Sequence, residues 1–220
     1  MKLHYLPPSA NSHGPLGVVK ALKMDVELEN CYGKTRTEEF IKMNPCHTAP
    51  TLELDDGTAI WESNTVMRVL CGLAGEKGEA LYPTETIQRA KIDMVMDWRQ
   101  ATMYPKLPAI GYIAFGMPCD DAKAKTDFAT LLDEIFPVLT GTFLKDTQFI
   151  FSDKPTIADL SVAPPLIFIM ARSKFWAKVP QEVKDYQTRV FEAFPDIKEN
   201  FDMLVGMCEA CTGESAEMEP

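Results

Sequence analysis

Histidine is scarce in this 220-residue chain. Only His4, His13 and His47 occur, and none stands at ligand spacing from a cysteine, which argues against a histidine-rich or cysteine–histidine metal site. Basic charge is in deficit, 22 Lys and Arg against 32 Asp and Glu, for a net charge of −10. Nucleic acid and anionic membrane surfaces both reward clustered basic charge, so neither is an expected partner. Long apolar runs are missing too: nothing approaches the roughly 20 residues that span a bilayer. The opening MKLHYLPPS breaks at two prolines before a signal-type apolar region forms, so a soluble, cytoplasmic protein is expected. The six cysteines are scattered. Cys208 and Cys211 make a C-x-x-C with no strand before it and no second pair, and are read as buried or idle thiols. No repeat recurs.

What is present is ordinary globular composition, 46 % hydrophobic and 25 % charged, which excludes a disordered chain. Two textures divide it. In residues 1–78, Lys2 to Leu6 and Val26 to Cys31 read as strands, and Thr51 to Leu54 with Ala59 to Trp61 as a hairpin turned by Asp56-Gly57. Serine and asparagine over residues 9–13 read as loop, with a helix from about Pro15. Phe40 to Met43 and Val66 to Leu73 read as further helices, giving β-α-β-α-β-β-α, the order of an α/β domain. Residues 85–212 read as all-helical: Ile87, Ala90, Met94, Val95, Trp98 and Ala101, then Phe128, Leu131, Leu132, Ile135, Leu139 and Phe143, recur at helical spacing. Residues 213–220, GESAEMEP, read as a disordered acidic tail.

Three features of the first part carry chemistry. Ala49-Pro50 precedes a strand, and a cis bond there turns the Ala49 backbone outward, able to pair with an extended peptide-like ligand. A plain turn proline is the alternative. Glu62-Ser63 stands where the hairpin meets a helix: Ser63 reads as an N-cap whose helix terminus attracts a carboxylate, and Glu62 offers the charge for an ammonium group. Together they match an α-amino acid end, against the plainer reading of a cap beside an exposed glutamate. The first loop supplies the hydroxyls of Ser9 and Ser12 ahead of a helix, and a hydroxyl that donates to a thiolate lowers the thiol's pKa.

Four strings, Tyr5-Leu6-Pro7-Pro8-Ser9-Ala10, Asn44 to Leu52, Trp61-Glu62-Ser63-Asn64 and Pro155-Thr156-Ile157-Ala158-Asp159, stand in the order and at the separations of a cytosolic glutathione S-transferase. The chain resembles that family over residues 1 to about 205, and its first-loop serine makes it most similar to the delta, theta and phi classes. The resemblance implies a thioredoxin-like α/β domain carrying the glutathione site (1–78), an all-α domain (85–212) and a homodimer. It implies conjugation of the glutathione thiolate to electrophilic apolar substrates, as in detoxification, with glutathione as co-substrate and no metal. A non-catalytic binding or scaffold protein is the rival, and a glutathione-dependent peroxidase or isomerase a third reading.

Laid on matching positions, the resemblance implies Ser9 as the thiolate-stabilising hydroxyl, with Ser12 as runner-up. Ala49 beside a cis Pro50 would pair with the cysteinyl part of glutathione, and Glu62 and Ser63 would hold the γ-glutamyl end. His47 would reach the glycyl carboxylate, for which Lys34 is a further candidate. Tyr104, Tyr112, Phe115, Phe168 and Trp176 are candidates for the apolar substrate wall. Thr156 and Asp159 would form a structural capping box, whereas Pro164-Pro165 departs from the family pattern, in which the helix often continues, and a kink or early end near Ala163 is expected from proline itself. Ser12 stands where redox-active relatives carry cysteine, so thiol–disulfide chemistry by the protein is not expected.

Overall fold

The computed structural model describes residues 1–220. The first part runs β1 (Lys2–Tyr5), α1 (Ala10–Ala21), β2 (Glu27–Asn30), α2 (Glu38–Met43), β3 (Thr51–Glu53), β4 (Ala59–Trp61) and α3 (Ser63–Leu73). The sheet order is β2-β1-β3-β4, with β1 parallel to β2 and the other two pairs antiparallel. Leu3 stands opposite Leu28 on one side and Leu52 on the other, and Leu3 and Leu52 are fully buried. The β3–β4 hairpin turns at Gly57, whose φ of 84° is open to glycine at little cost. This is a thioredoxin-like α/β unit.

The rest is helical: α4 (Thr86–Trp98), α5 (Pro108–Gly111), α6 (Asp121–Thr130), α7 (Phe136–Val138), α8 (Ile157–Val162), α9 (Ser173–Lys178), α10 (Gln181–Ala193) and α11 (Lys198–Glu209). Wide π turns continue α4 through Met103 and α6 through Ile135, and α8 gives way at Pro164-Pro165 to a 3₁₀ segment. Thr156 and Asp159 form a reciprocal cap: Asp159 accepts from the Thr156 N–H at 2.8 Å, and the Thr156 hydroxyl accepts from the Ala158 N–H at 3.2 Å.

One hydrophobic core joins the two parts, and α1 lies in its middle. A Cβ at Gly14 would come within 2.6 Å of Met67 Sδ on α3, and one at Gly17 within 2.9 Å of Leu160 on α8. These two glycines let α1 approach both units closely, which seats its N-terminus at the junction between them.

Three expectations are corrected. The first loop is shorter than composition suggests: α1 begins at Ala10, so residues 10–13 are its first turn and Pro15 lies inside it. Ser9 caps that helix, and its carbonyl accepts from the N–H groups of Ser12 and His13. The inward face of α4 is also set differently: Ile87 and Met94 are exposed, while Ile92, Val95, Met96, Arg99 and Met103 are buried. Residues 213–220 are docked. Ala216 is 2 % exposed, Arg172 donates to the Ser215 carbonyl, the Ser215 hydroxyl donates to Asp121 at 2.7 Å, and Lys174 pairs with Glu219 at 2.9 Å. The acidic tail finds cations and donors on α9 and its neighbours, a match invisible to composition.

Candidate active site

Two helix N-termini face the junction, and each brings a serine. Ser9, with extended φ/ψ of −82°/117°, leads into α1, and its half-buried hydroxyl makes no hydrogen bond within the chain. Ser12 differs. It is completely buried, and its Oγ accepts from the Leu6 N–H at 3.1 Å, so it staples the end of β1 to α1. Of the two, only Ser9 has a hydroxyl that an approaching ligand can meet.

The Ala49-Pro50 bond is cis. Asn44, fully buried, holds the loop ahead of it by donating to the Thr48 carbonyl at 3.0 Å and to Thr51 Oγ1 at 2.9 Å. The loop is thereby fixed, yet the N–H and C=O of half-exposed Ala49 have no hydrogen-bond partner in the chain. Unpaired backbone groups at a strand's entry are what an extended peptide needs. His47, at φ 45°, is half-exposed with a free side chain.

At α3, Glu62 is the cap and Ser63 the first helical residue, one position displaced from the expected arrangement. Glu62 adopts φ 69°, a conformation uncommon for residues with a Cβ and often found at ligand sites. Its carboxylate is exposed and without a partner, and the half-buried Ser63 hydroxyl likewise has none. The next residue, Asn64, is 8 % exposed: it donates to the Met96 carbonyl at 3.0 Å and accepts from the Ser161 hydroxyl at 2.7 Å, tying α3 to α4 and α8.

Lys34 does not join this group. It pairs with Glu29 and lines a separate cleft with His4, Phe40 and Glu53, because the turn after β2 directs it under α2. The aromatic candidates divide as well. Tyr104 and Tyr112 hydroxyls meet at 3.1 Å, and the ring centroids of Tyr112, Phe115 and Phe168 lie 5.6 to 6.0 Å apart. Phe168, 3 % exposed, is the core side of that cluster, whereas Trp176 sits apart on α9 beneath Lys184.

Reasoning from sequence missed Arg99. It is 2 % exposed, donates to Asn11 Oδ1 at 2.5 Å, and lies 4.2 Å from the centroid of Tyr104. The signal was available: Arg99 follows Ile92 and Val95 at helical spacing, a cation on an inward stripe. All six cysteines are free, and burial pushes the Cys208 thiol up to about 12, so the chain offers no ready nucleophile of its own there.

Residues 8–73 match the family model of the glutathione S-transferase N-terminal domain. Glutathione S-transferase 1 of Manduca sexta is 32 % identical over 179 residues, covering 76 % of this chain and 79 % of that one. Glutathione S-transferase 2 of Anopheles gambiae is 28 % identical, covering 74 % and 77 %. Among solved structures, the delta-class glutathione transferase of Nilaparvata lugens superposes with a TM-score of 0.73 at 26 % identity, over 96 % of this chain and 99 % of that one. With the thioredoxin-like unit, the helical partner and the two serine-led helix starts, these likenesses place the chain in the glutathione S-transferase family.

Proposed function

We propose that the protein binds glutathione along the junction face of its first part and conjugates it to apolar electrophiles. The observation that carries this is the set of free groups around two helix starts. Ser9 hydroxyl, Ala49 N–H and C=O, Glu62 carboxylate and Ser63 hydroxyl all lack partners in a chain that otherwise satisfies its buried side-chain polar atoms, His13 Nδ1 excepted.

Each group has a counterpart in the tripeptide. Glu62 takes the γ-glutamyl ammonium. The Ser63 hydroxyl and the first-turn N–H groups of α3 take its carboxylate. Ala49 pairs with the cysteinyl backbone, and His47 reaches the glycyl carboxylate. The Ser9 hydroxyl donates to sulfur, favouring the thiolate once the thiol proton has gone to solvent. The thiolate then attacks an electrophilic carbon held near Tyr104, Tyr112 and Phe115: a C–S bond forms, and the leaving group departs with its electron pair. Glutathione is consumed as a co-substrate.

The same proposal takes the protein as a homodimer. Leu73, Ile87 and Met94 are 52, 61 and 49 % exposed on α3 and α4, helices joined by the Arg68–Asp93 pair at 2.7 Å, and such apolar surface favours burial against a second copy. It takes the protein as cytoplasmic, in keeping with free cysteines, and detoxification as its role. Retention on immobilised glutathione and turnover of a chlorodinitrobenzene-type electrophile test the reading; the absence of both contradicts it, and binding without turnover supports the scaffold alternative.

A further inference from the structure

Two arginines are essentially fully buried, and they are provided for differently. Arg172 has a carboxylate, Asp121, at 2.8 Å. Arg99 has none within ion-pair distance. Its Nε donates to the Ser161 carbonyl at 3.1 Å, Nη1 to Gln100 Oε1 at 2.6 Å and Nη2 to Asn11 Oδ1 at 2.5 Å, all neutral acceptors. Three of the five N–H donors of a guanidinium are thus used and the charge is not. A buried cation without a counter-charge costs several kcal/mol by the usual estimates, and such a charge persists where a ligand completes it.

The surroundings say where that ligand lies. Asn11 belongs to the first turn of α1, two residues past Ser9, and is only partly buried. Its amide also donates to the Tyr104 hydroxyl at 2.8 Å, and Tyr104 in turn meets Tyr112. From the other side, Ser161, whose carbonyl takes Arg99 Nε, donates its hydroxyl to Asn64 in the first turn of α3. One guanidinium therefore braces both helix starts from behind, separated from the open side by the Asn11 and Tyr104 layer.

Resting on the proposed glutathione site, we propose that Arg99 is the fixed positive charge of that site, a positioning residue that favours the ionised sulfur over the thiol through Asn11 and the start of α1. The equilibrium concerned is loss of the thiol proton to solvent, with no other bond made or broken. The titratable groups facing Arg99 are Tyr104 and Tyr112, with Glu62 beyond them; α1 presents neutral Asn11 and α8 the neutral Ser161. Burial pulls the Arg99 pKa down to about 10, which leaves it charged throughout the working range. At the tenfold per pKa unit of a titration, loss of the charge lowers the thiolate fraction on the acid side about tenfold.

Two variants separate charge from scaffolding. Arg99→Gln removes the cation, with Arg99→Lys as the charge-keeping control. Asn11→Asp keeps the side-chain volume, supplies the missing carboxylate, keeps an acceptor for Arg99 and exchanges the amide's donation to the Tyr104 hydroxyl for acceptance from it. The experiment follows the pH profile of kcat/KM for conjugation, thermal stability, and glutathione binding by calorimetry. The expected result is an acid limb moved up by about one pH unit in Arg99→Gln and in Asn11→Asp, largely restored in Arg99→Lys, with Asn11→Asp melting at or above the parent protein. An Asn11→Asp enzyme that is more stable and keeps the parent pH profile overturns the inference and leaves Arg99 structural. Absence of glutathione binding in the unaltered protein would instead defeat the reading on which the inference rests.

Discussion

The Ser12 N–H donates to the Ser9 carbonyl at 2.8 Å, so the two serines share one turn of helix while their hydroxyls face opposite worlds. Ser9 Oγ is free and half-exposed; Ser12 Oγ is sealed against Leu6. Ser9→Ala is expected to lower kcat/KM toward a chlorodinitrobenzene-type electrophile by about 10²-fold, the low end for loss of one positioned hydrogen-bond donor to an anion, with little change in melting temperature. Ser12→Ala leaves the Leu6 N–H unsatisfied and should cost about 1–3 kcal/mol of stability while activity at low temperature survives. Kinetics and thermal melts of the two variants decide it; the reverse pattern assigns the hydroxyl to Ser12.

Glu62 combines an unpaired carboxylate with a backbone conformation that suits glycine better. Glu62→Gly should raise stability by up to about 1 kcal/mol through relief of φ 69°, and raise the glutathione KM about tenfold or more through loss of a charged contact. Glu62→Gln should raise KM alone. Melting curves beside glutathione saturation curves check both, and an unchanged KM removes Glu62 from the site.

His13, fully buried, has its pKa lowered to about 4 by desolvation, and Nε2 meets the Pro7 carbonyl at 3.1 Å. A base with a depressed folded pKa lends stability above its unfolded pKa of 6.5 and loses it as pH falls toward 4, by up to about 3 kcal/mol. Asp159 acts oppositely: burial raises it to about 6, so its contribution is largest in acid and lost as pH rises through that value. The two offset one another between pH 4 and 6. The melting temperature of the parent protein relative to His13→Gln should therefore fall as pH drops from 7 to 4.5, whereas parallel curves contradict the assignment.

Truncation before Gly213 removes the Ser215 carbonyl and Met218 sulfur from buried Arg172, and the Ser215 hydroxyl from Asp121. A loss of about 1–3 kcal/mol, or about 2–4 °C per kcal/mol for a chain of this size, is expected in a thermal melt. An unchanged melting temperature would return residues 213–220 to the status of a loose tail.

Much of the fold was legible because local chemistry agreed with tertiary context. Pro7-Pro8 stops β1, Asp56-Gly57 turns the hairpin, and Thr156 with Asp159 announces a cap. Errors came where tertiary contacts overrode local signals. Pro15 suggested a helix start, but Ser9 is the cap and Ala10 the first helical residue, so Pro15 stands five residues past the position where proline is best tolerated. The α4 stripe was misphased because Ile87 and Met94, apolar yet exposed, mimic a core face. In the proposed site, Ser9, Ala49, Glu62 and Ser63 are chain-local features beside turns and helix starts, which makes them readable as candidates. Arg99 shows in the sequence only as a cation on a helical stripe, since its meaning depends on Asn11, 88 residues away, and on the carboxylate it lacks. The pairing of Lys34 with Glu29 across a turn is illegible for a similar reason.

The most direct test is an ultraviolet titration of the glutathione thiol in complex with the protein. The account predicts a bound thiol that ionises at least one pH unit below free glutathione, with that difference reduced in Ser9→Ala. A bound thiol that titrates as it does in water contradicts it.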